Sequence, residues 1–292
     1  MMINNIENDK LKLAVKQTGA EMCSLKSVET GKEFIWDAKP DVWEGHAPIL
    51  FPIVGALKND EYRYKEKKYS LAQHGFMRRN KTVELLEKKE HSLSFLLKSS
   101  KESLILYPFD FEFITTYKLV GSAVYIEHRV INTGNTEMYF SIGEHPAFKC
   151  PINTDELYSD YYLEFEKNED SKAWGLDGKL IGTKAIDVFK GGNIINLHRD
   201  IFNNGAFIFK DLKSKKISLK SRKSNQKITV SYNGFPYMGI WAKPQAEFVC
   251  IEPWMGIADS VDTDQEIVNK EGIIKLVAKD SFNAMYSIEI VE

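Results

Sequence analysis

The chain has 292 residues, of which 43% are hydrophobic and 12% aromatic, and its 39 basic and 41 acidic side chains give a formal net charge of -2. This composition is typical of a globular protein and excludes large-scale disorder, and the balanced charge provides no field to attract nucleic acid or an anionic membrane. Because all-β sandwiches reach this length as one unit, we expect a single domain over residues 1–292.

The predicted elements follow from a hydrophobic pattern with a period of two, which is typical of extended strands. In chain order it predicts strands at residues 11–16, 82–87, 93–98, 111–119, 123–131, 138–142, 161–165, 206–209, 216–220, 227–232, 238–242, 247–251 and 282–291. Turn signals such as Asn233-Gly234 separate them, and long amphipathic helices are scarce. We therefore predict an all-β sandwich or barrel, with residues 152–202 forming long connections around one or two strands.

Cysteine usage and the N-terminal segment indicate the compartment. Cys23, Cys150 and Cys250 are an odd number without CxxC spacing, which argues against a disulfide framework and a zinc site. The first residues lack a positive segment followed by an apolar stretch, and no run of about 18 apolar residues occurs. We expect a cytoplasmic protein with no membrane partner, either a monomer or a homodimer.

Three of the six histidines are candidates for chemistry. His74 precedes a glycine that allows close backbone approach, His145 ends a predicted strand, and His46 lies in a loop before an apolar run. The other three fit structural or surface positions: His91, His128 and His198.

Glu252 is the strongest carboxylate candidate because it interrupts an apolar run. A carboxylate at such a position is costly to bury unless it is paired, and burial raises its pKa toward the range of a general base. Glu252 and His145 each precede a proline, which disfavours helix and interrupts the donor ladder of a strand. We expect both side chains at the exits of strands, although a structural salt bridge is an alternative role for Glu252.

Aromatic residues are concentrated in the same segments, and they include Trp43, Phe148 and Trp254. Sugars present apolar C–H faces that stack on aromatic rings, and hydroxyl groups that need polar partners. Core packing is the competing explanation for at least half of these rings. Two histidines and a glutamate suit the interconversion of aldose anomers, in which a base deprotonates the anomeric hydroxyl and an acid protonates the ring oxygen.

Four motifs occur in an order that resembles the aldose 1-epimerase (galactose mutarotase) family, and within it the LacX-like branch. They are APILFPIVG at residues 47–55, HGFMR at 74–78, GEHPAF at 143–148 and IEPW at 251–254. The resemblance implies a galactose mutarotase-like β-supersandwich whose site needs no metal or other cofactor. It also implies that the ligand is a small sugar.

The resemblance assigns roles residue by residue. Glu252 matches the general base, His145 the general acid, and His74 the histidine that hydrogen-bonds the sugar near its ring oxygen. Arg78 belongs to the motif of the branch and is expected to orient neighbouring groups or to bind an anionic substituent. The remaining expected contacts with the sugar are Lys58, Trp43, His46, Phe148 and Trp254.

Two places depart from the family pattern. The aspartate that binds sugar hydroxyls would fall at residues 203–205, where there is no acid, and the arginine expected near Gly55 is replaced by Ala56, with Lys58 as a nearby cation. These departures leave two alternatives to a hexose mutarotase: a non-catalytic sugar-binding protein, and an epimerase of hexose 6-phosphates in which Lys58, Arg78 and Arg79 bind the phosphate.

Two other classes of site are less favoured. A cupin-like metal site would use His46, His74, His145 and Glu252, but the sequence lacks close ligand spacing. A glycosidase needs two carboxylates across the bond, and the second candidate is Glu144. Since neighbours on a strand point to opposite faces, Glu144 and His145 are not expected to share a site.

Overall fold

The computed structural model describes residues 2–292 and consists mainly of antiparallel β-strands. The strands, in chain order, are β1 (Ile3–Glu7), β2 (Leu11–Lys16), β3 (Glu21–Ser27), β4 (Ile49–Leu50), β5 (Glu61–Tyr64), β6 (Lys67–Ser70), β7 (Glu84–Lys89), β8 (Ser92–Lys98), β9 (Phe111–Val120), β10 (Ala123–Asn132), β11 (Met138–Phe140), β12 (Ile142–Glu144), β13 (Ala147–Lys149), β14 (Tyr161–Phe165), β15 (Ala173–Asp177), β16 (Leu180–Ile186), β17 (Ile194–Asn196), β18 (Phe207–Phe209), β19 (Lys216–Ser221), β20 (Lys227–Ser231), β21 (Tyr237–Trp241), β22 (Phe248–Met255), β23 (Ile274–Leu276) and β24 (Ser281–Val291). Helical structure within residues 2–292 is limited to one α-helix, α1 (Lys101–Leu106), and five 3-10 turns, at Thr18–Ala20, Lys58–Asp60, Met77–Arg79, Tyr158–Asp160 and Ile267–Asn269. No helix in this described part of the chain is long and apolar enough to span a bilayer.

Two large sheets form the body of the molecule. The first has nine strands in the order β17-β14-β19-β20-β24-β10-β9-β8-β7. The second has the order β16-β15-β18-β21-β22-β12-β4, and β13 also pairs with β22, which makes eight strands. A three-stranded sheet, β1-β2-β3, and two small pairs, β5-β6 and β11-β23, complete the fold. The all-β class predicted from the period-two pattern is confirmed.

The hydrophobic core lies between the inner faces of the two large sheets. Buried and less buried residues alternate along β9 and β10, as expected for strands with one face in the core. The Phe51 ring stacks on Phe113 of β9 with centroids 4.7 Å apart. The buried cluster extends from Ile6 to Ile290 and so includes both ends of the described chain.

The largest difference from the predicted elements lies in residues 152–202. Four strands, β14 to β17, occupy this stretch where one or two were expected. β15 and β16 are only partly buried and form a hairpin at the edge of the second sheet, so their side chains carry too weak an alternation to predict a strand. A second difference is the single strand expected at 138–142, which divides into β11 and β12 because the chain changes sheets at Ser141.

Candidate active site

His145 and Glu252 are cross-strand neighbours in the second sheet. Gly143 pairs with Trp254 and Ala147 pairs with Cys250, and the same register places His145 opposite Glu252. His145 Nε2 lies 3.1 Å from Glu252 Oε2, and both side chains are buried. The sequence neighbour of His145, Glu144, contacts β10 and β24 of the first sheet, so the pair lies on the face turned away from the core.

Pro146 and Pro253 follow His145 and Glu252, and both were expected to mark the exit of a strand, but only one of them does. His145 does lie at a strand exit, between the end of β12 at Glu144 and the start of β13 at Ala147. The expectation that Glu252 also ends a strand is wrong, because β22 continues through Pro253 to Met255. Pro253 is tolerated within the sheet because it faces the interruption between β12 and β13, where the regular donor ladder is already broken.

Burial sets the protonation of this pair. Removal from water raises the pKa of the Glu252 carboxyl well above its ordinary value, because the charged carboxylate is disfavoured. The same burial lowers the pKa of His145 to about 3. A pair of this kind titrates as a unit, and its favoured form holds one proton and carries no net charge.

Aromatic rings hold the His145 imidazole on two sides. Trp43 stacks on it with ring centroids 5.0 Å apart, and Trp241 meets it edge-on at 5.8 Å. Trp254 lies on the same face of the sheet, over two glycines of the neighbouring strands. A β-carbon on Gly239 would come 2.7 Å from Trp254 Cζ2, and one on Gly143 would come 2.8 Å from Cδ1. The flat indole therefore requires glycine at both positions.

His74 is fixed by its backbone and by its own ring. It has a φ of 68°, and its N–H donates to the Gly55 carbonyl at 2.8 Å. In return the Gly55 N–H donates to His74 Nδ1 at 3.1 Å. Since Nδ1 is an acceptor, the proton of the neutral ring resides on Nε2, which becomes a donor. Burial lowers the pKa of His74 well below its usual value, so the ring is neutral at pH 7.

Gly75 makes this conformation possible. Its φ is 67°, and a β-carbon at this position would come 2.3 Å from the Phe51 carbonyl oxygen. The close approach permits the Phe51 carbonyl to accept hydrogen bonds from the N–H groups of Phe76 and Met77. The His-Gly sequence thus anchors His74 against the apolar segment at residues 47–55. The His74 and His145 rings meet edge-on with centroids 5.8 Å apart.

A cavity of about 300 Å³ connects these groups, and this volume suits a small ligand. Its lining residues come from distant parts of the chain: Trp43, Gly55, Gln73, His74, Arg78, His145, Leu176, Lys179, Gly205, Ala206, Ile208, Trp241, Glu252, Trp254 and Ala258. Two buried polar atoms of its lining residues lack a hydrogen-bond partner among residues 2–292: Arg78 Nε and His145 Nδ1. A ligand in the cavity would supply the partners that these atoms lack.

Six of the nine expected site residues line this cavity: Glu252, His145, His74, Arg78, Trp43 and Trp254. Lys58 does not, because its Nζ donates to the Val261 carbonyl at 2.7 Å. Phe148 does not either; the strand alternation points it into the core, where it is fully buried. These two residues are removed from the expected set of sugar contacts.

His46 belongs to a different surface. Its Nδ1 lies 2.8 Å from Lys16 Nζ, and its N–H donates to the Glu21 carboxylate at 2.7 Å. It lines a wider cleft of about 1450 Å³ beside the N-terminal three-stranded sheet, and that cleft contains none of the residues His74, His145 and Glu252. His46 is therefore also removed from the expected sugar contacts, as a loop residue held by Lys16 and Glu21.

Sequence reasoning missed two polar residues of the cavity. Lys179 lies in the β15–β16 turn, inside the stretch that was expected to be mostly connections. Gln73 directly precedes the His-Gly motif, and its amide nitrogen lies 3.3 Å from His74 Nε2, a contact between two donors in the His74 tautomer given above. The adjacency of Gln73 to a motif histidine was an available signal, whereas nothing in the local sequence of Lys179 points to this cavity.

A metal ion would need a different set of ligands from the three histidines and Glu252 that the sequence suggested. His145, Cys250 and Glu252 offer ligand atoms that lie within 4.8 Å of one another. Burial raises the pKa of the Cys250 thiol well above its ordinary value, which disfavours the thiolate that metals bind.

The glycosidase alternative fails on geometry. Glu144 Oε1 lies 2.7 Å from His128 Nε2 in the core, and the Tyr286 hydroxyl donates to Oε2 at 2.9 Å. Glu144 is 1% exposed and lies on the opposite face of the sheet from Glu252. The two carboxylates cannot flank one bond of a substrate.

Comparison with known proteins agrees with this architecture. The family model described as aldose 1-epimerase matches residues 2–274. The plasmid-encoded protein LacX of Lactococcus lactis subsp. lactis is 33% identical over 301 residues, covering 99% of this chain and all of that relative. A galactose mutarotase related enzyme from Lactobacillus acidophilus has a TM-score of 0.95 at 36% identity, covering 100% of this chain and 98% of the other.

A second solved structure, a galactose mutarotase-like protein from Lactobacillus casei, has a TM-score of 0.93 at 28% identity and covers 99% of this chain and 100% of its own. These similarities span nearly the whole chain, and so does the family model. The expected resemblance and the expected supersandwich are confirmed, and the chain belongs to the aldose 1-epimerase family.

Proposed function

We propose that this protein is a cofactor-independent aldose 1-epimerase that interconverts the α and β anomers of a hexose. The observation that carries the proposal is the buried His145–Glu252 pair, with 3.1 Å between Nε2 and Oε2, on the wall of a cavity of about 300 Å³. A general acid and a general base next to each other are what ring opening requires. We also propose that residues 1–292 act as one cytoplasmic domain.

The proposed reaction begins from the zwitterionic form of the pair. The Glu252 carboxylate accepts the proton of the anomeric hydroxyl while the His145 imidazolium gives its proton to the ring oxygen. The bond between the anomeric carbon and the ring oxygen breaks, and the products are an open-chain aldehyde, a neutral carboxyl and a neutral imidazole. Burial favours the uncharged form of the pair, so the zwitterion from which ring opening starts is the less populated tautomer of the resting site.

Reclosure reverses the proton transfers after the aldehyde end rotates. The carboxyl returns a proton to the carbonyl oxygen, and His145 removes a proton from the hydroxyl that attacks the carbonyl carbon. His74, which holds its proton on Nε2, supplies a hydrogen bond near the ring oxygen. Trp254 and Trp43 offer aromatic surfaces for the C–H faces of the sugar.

The test is a polarimetric panel with freshly dissolved α-anomers of hexoses. Spontaneous mutarotation provides a background, so the measured quantity is the excess rate per enzyme. We expect a clear excess for the native protein and its loss in Glu252→Gln, with Glu247→Gln as the control because Glu247 is more than half exposed and lies outside the cavity. Sugar binding by calorimetry without any excess rate would instead support a non-catalytic sugar-binding protein.

A further inference from the structure

The charge of the cavity lining does not suit a neutral sugar. Arg78 and Lys179 line the cavity, and Glu252 is its only acidic lining residue. Burial raises the pKa of Glu252, so this carboxyl contributes little negative charge to the resting site. The lining of the cavity therefore has two permanent cations and no permanent anion.

Neither cation has a direct ion-pair or hydrogen-bond partner in the described part of the protein, although Glu44 and Glu21 act on the charge of Arg78 from outside the cavity lining. Within residues 2–292, neither Arg78 nor Lys179 makes an ion pair or a side chain hydrogen bond. The adjacent Arg79 shows the contrast, because its Nη2 lies 3.6 Å from a Glu44 carboxylate oxygen on the exposed surface. Arg78 instead keeps Nε buried without an acceptor. A half-buried guanidinium without an acceptor is costly unless a ligand supplies one.

The hydrogen-bonding groups of the cavity are mostly donors. Arginine and lysine can only donate, His74 presents its Nε2–H, and Gln73 can donate or accept. The Gly205 segment, where a family aspartate would accept from sugar hydroxyls, lines the cavity without an acidic group. A hydroxyl-rich neutral ligand needs acceptors as well as donors, whereas phosphate and carboxylate groups are acceptors that match a guanidinium fork.

We propose that the substrate of this site is an acidic aldose, a sugar with a phosphate or carboxylate group remote from the anomeric carbon. Arg78 binds the anionic group, and the exposed Lys179 contributes a second charge from the β15–β16 turn. The anionic group then orients the sugar so that its anomeric carbon meets the His145–Glu252 pair. This inference rests on the proposed epimerase function and specifies its substrate class.

The experiment compares the excess mutarotation of neutral hexoses, hexose 6-phosphates and hexuronates, each corrected for its own spontaneous rate. We expect kcat/KM to be higher for at least one acidic class than for the neutral hexoses, and inorganic phosphate to compete with the acidic substrate. The two acidic arms distinguish a phosphate from a carboxylate ligand. A preference for neutral hexoses, without competition by phosphate, would overturn the proposal.

Charge-removing variants give the second measurement. We expect Arg78→Met to lower the ratio of kcat/KM for the acidic aldose over the neutral one by about 10- to 100-fold, because a charge-assisted hydrogen bond is lost. Lys179→Met should lower the ratio less, since Lys179 is exposed. The controls are Arg79→Met and Lys184→Met, which remove exposed cations outside the cavity. An unchanged ratio in Arg78→Met would contradict the assignment.

Calorimetry separates this proposal from the epimerase proposal. Binding of the acidic aldose to Glu252→Gln requires no turnover, so it is measurable even if no sugar shows an enzymatic excess rate. If the double variant Glu252→Gln/Arg78→Met no longer binds the acidic aldose, the result supports the anion site whatever reaction the protein catalyses. Equal binding with and without Arg78→Met contradicts the anion site even if the epimerase proposal holds.

Discussion

Glu144 and His145 are adjacent in the chain, yet their side chains belong to two separate polar clusters on opposite faces of one sheet. Glu144 contacts His128 at 2.7 Å in the core, and His145 contacts Glu252 at 3.1 Å beside the cavity. The strand alternation separates the carboxylates of Glu144 and Glu252 and leaves only Glu252 beside the cavity. The backbone of His145 is thus tied directly to the buried Glu144–His128 contact.

This relationship predicts a stability effect at Glu144. Replacing the Glu144 carboxyl by an amide leaves His128 with a weaker partner in the core, and breaking one side of a buried pair costs roughly 3–5 kcal/mol. We expect Glu144→Gln to lower the free energy of unfolding by about 2–4 kcal/mol in urea denaturation, somewhat less than a full break. Tyr286→Phe removes one hydrogen bond to the same carboxylate and should cost less, about 1–3 kcal/mol. A larger loss of unfolding free energy in Tyr286→Phe than in Glu144→Gln would contradict this description of the buried contacts.

The glycine pair under Trp254 predicts a steric effect. A methyl group at position 239 would overlap the indole, so Gly239→Ala must displace Trp254. We expect a loss of about 1–3 kcal/mol in the free energy of unfolding, together with a reduced excess mutarotation rate. Gly175→Ala on β15 is the matched control because open space surrounds its β-carbon. If Gly239→Ala behaved like Gly175→Ala, the packing of Trp254 described above would be wrong.

His74 predicts a pH dependence of stability. Its pKa in the folded protein lies below the ordinary value of 6.5, so below pH 6.5 the unfolded chain binds a proton that the folded protein does not. Stability therefore falls as the pH drops from 6.5 toward the folded pKa, by about 1.4 kcal/mol per pH unit for one such group. Urea denaturation of His74→Gln between pH 6.5 and 5 should show a shallower slope. His198→Gln, at an exposed position, should keep the native slope.

The pKa directions of the His145–Glu252 pair predict the pH profile of the excess rate. The reactive pair holds one proton, and a second proton is added only near the lowered His145 pKa of about 3. The single proton is lost at the raised pKa of Glu252, above its ordinary 4.5. We expect kcat/KM to show no acid limb near pH 6.5 as the pH falls from 7 to 5. An acid limb at the ordinary histidine pKa would show that His145 titrates alone.

Much of the fold was predictable because long strands with one buried face carry many alternations. β9 and β10, with ten residues each, were predicted within one residue at both ends. β13 and β17 have three residues each, too few to show a period, and neither was predicted. The continuation of β22 through Pro253 depended on the break between two other strands, which lies about a hundred residues away in sequence.

The site was predictable where residues are unusual in their own segment. Glu252 and His74 stand out in apolar or glycine-containing surroundings, and both line the cavity. Lys58 and His46 were expected for similar reasons, but distant partners at Val261 and Glu21 hold them elsewhere. Tertiary contacts of this kind leave no local signal in the sequence.

The most direct test of the account is a double-mutant cycle on the excess mutarotation rate, with Glu252→Gln, His145→Asn and the combined variant. If the two residues share one proton and act as a unit, each single variant loses nearly the whole excess, and the combined variant loses no more than the worse single one. Losses that multiply in the combined variant, or a single variant that keeps the native excess rate, would contradict the shared-proton mechanism.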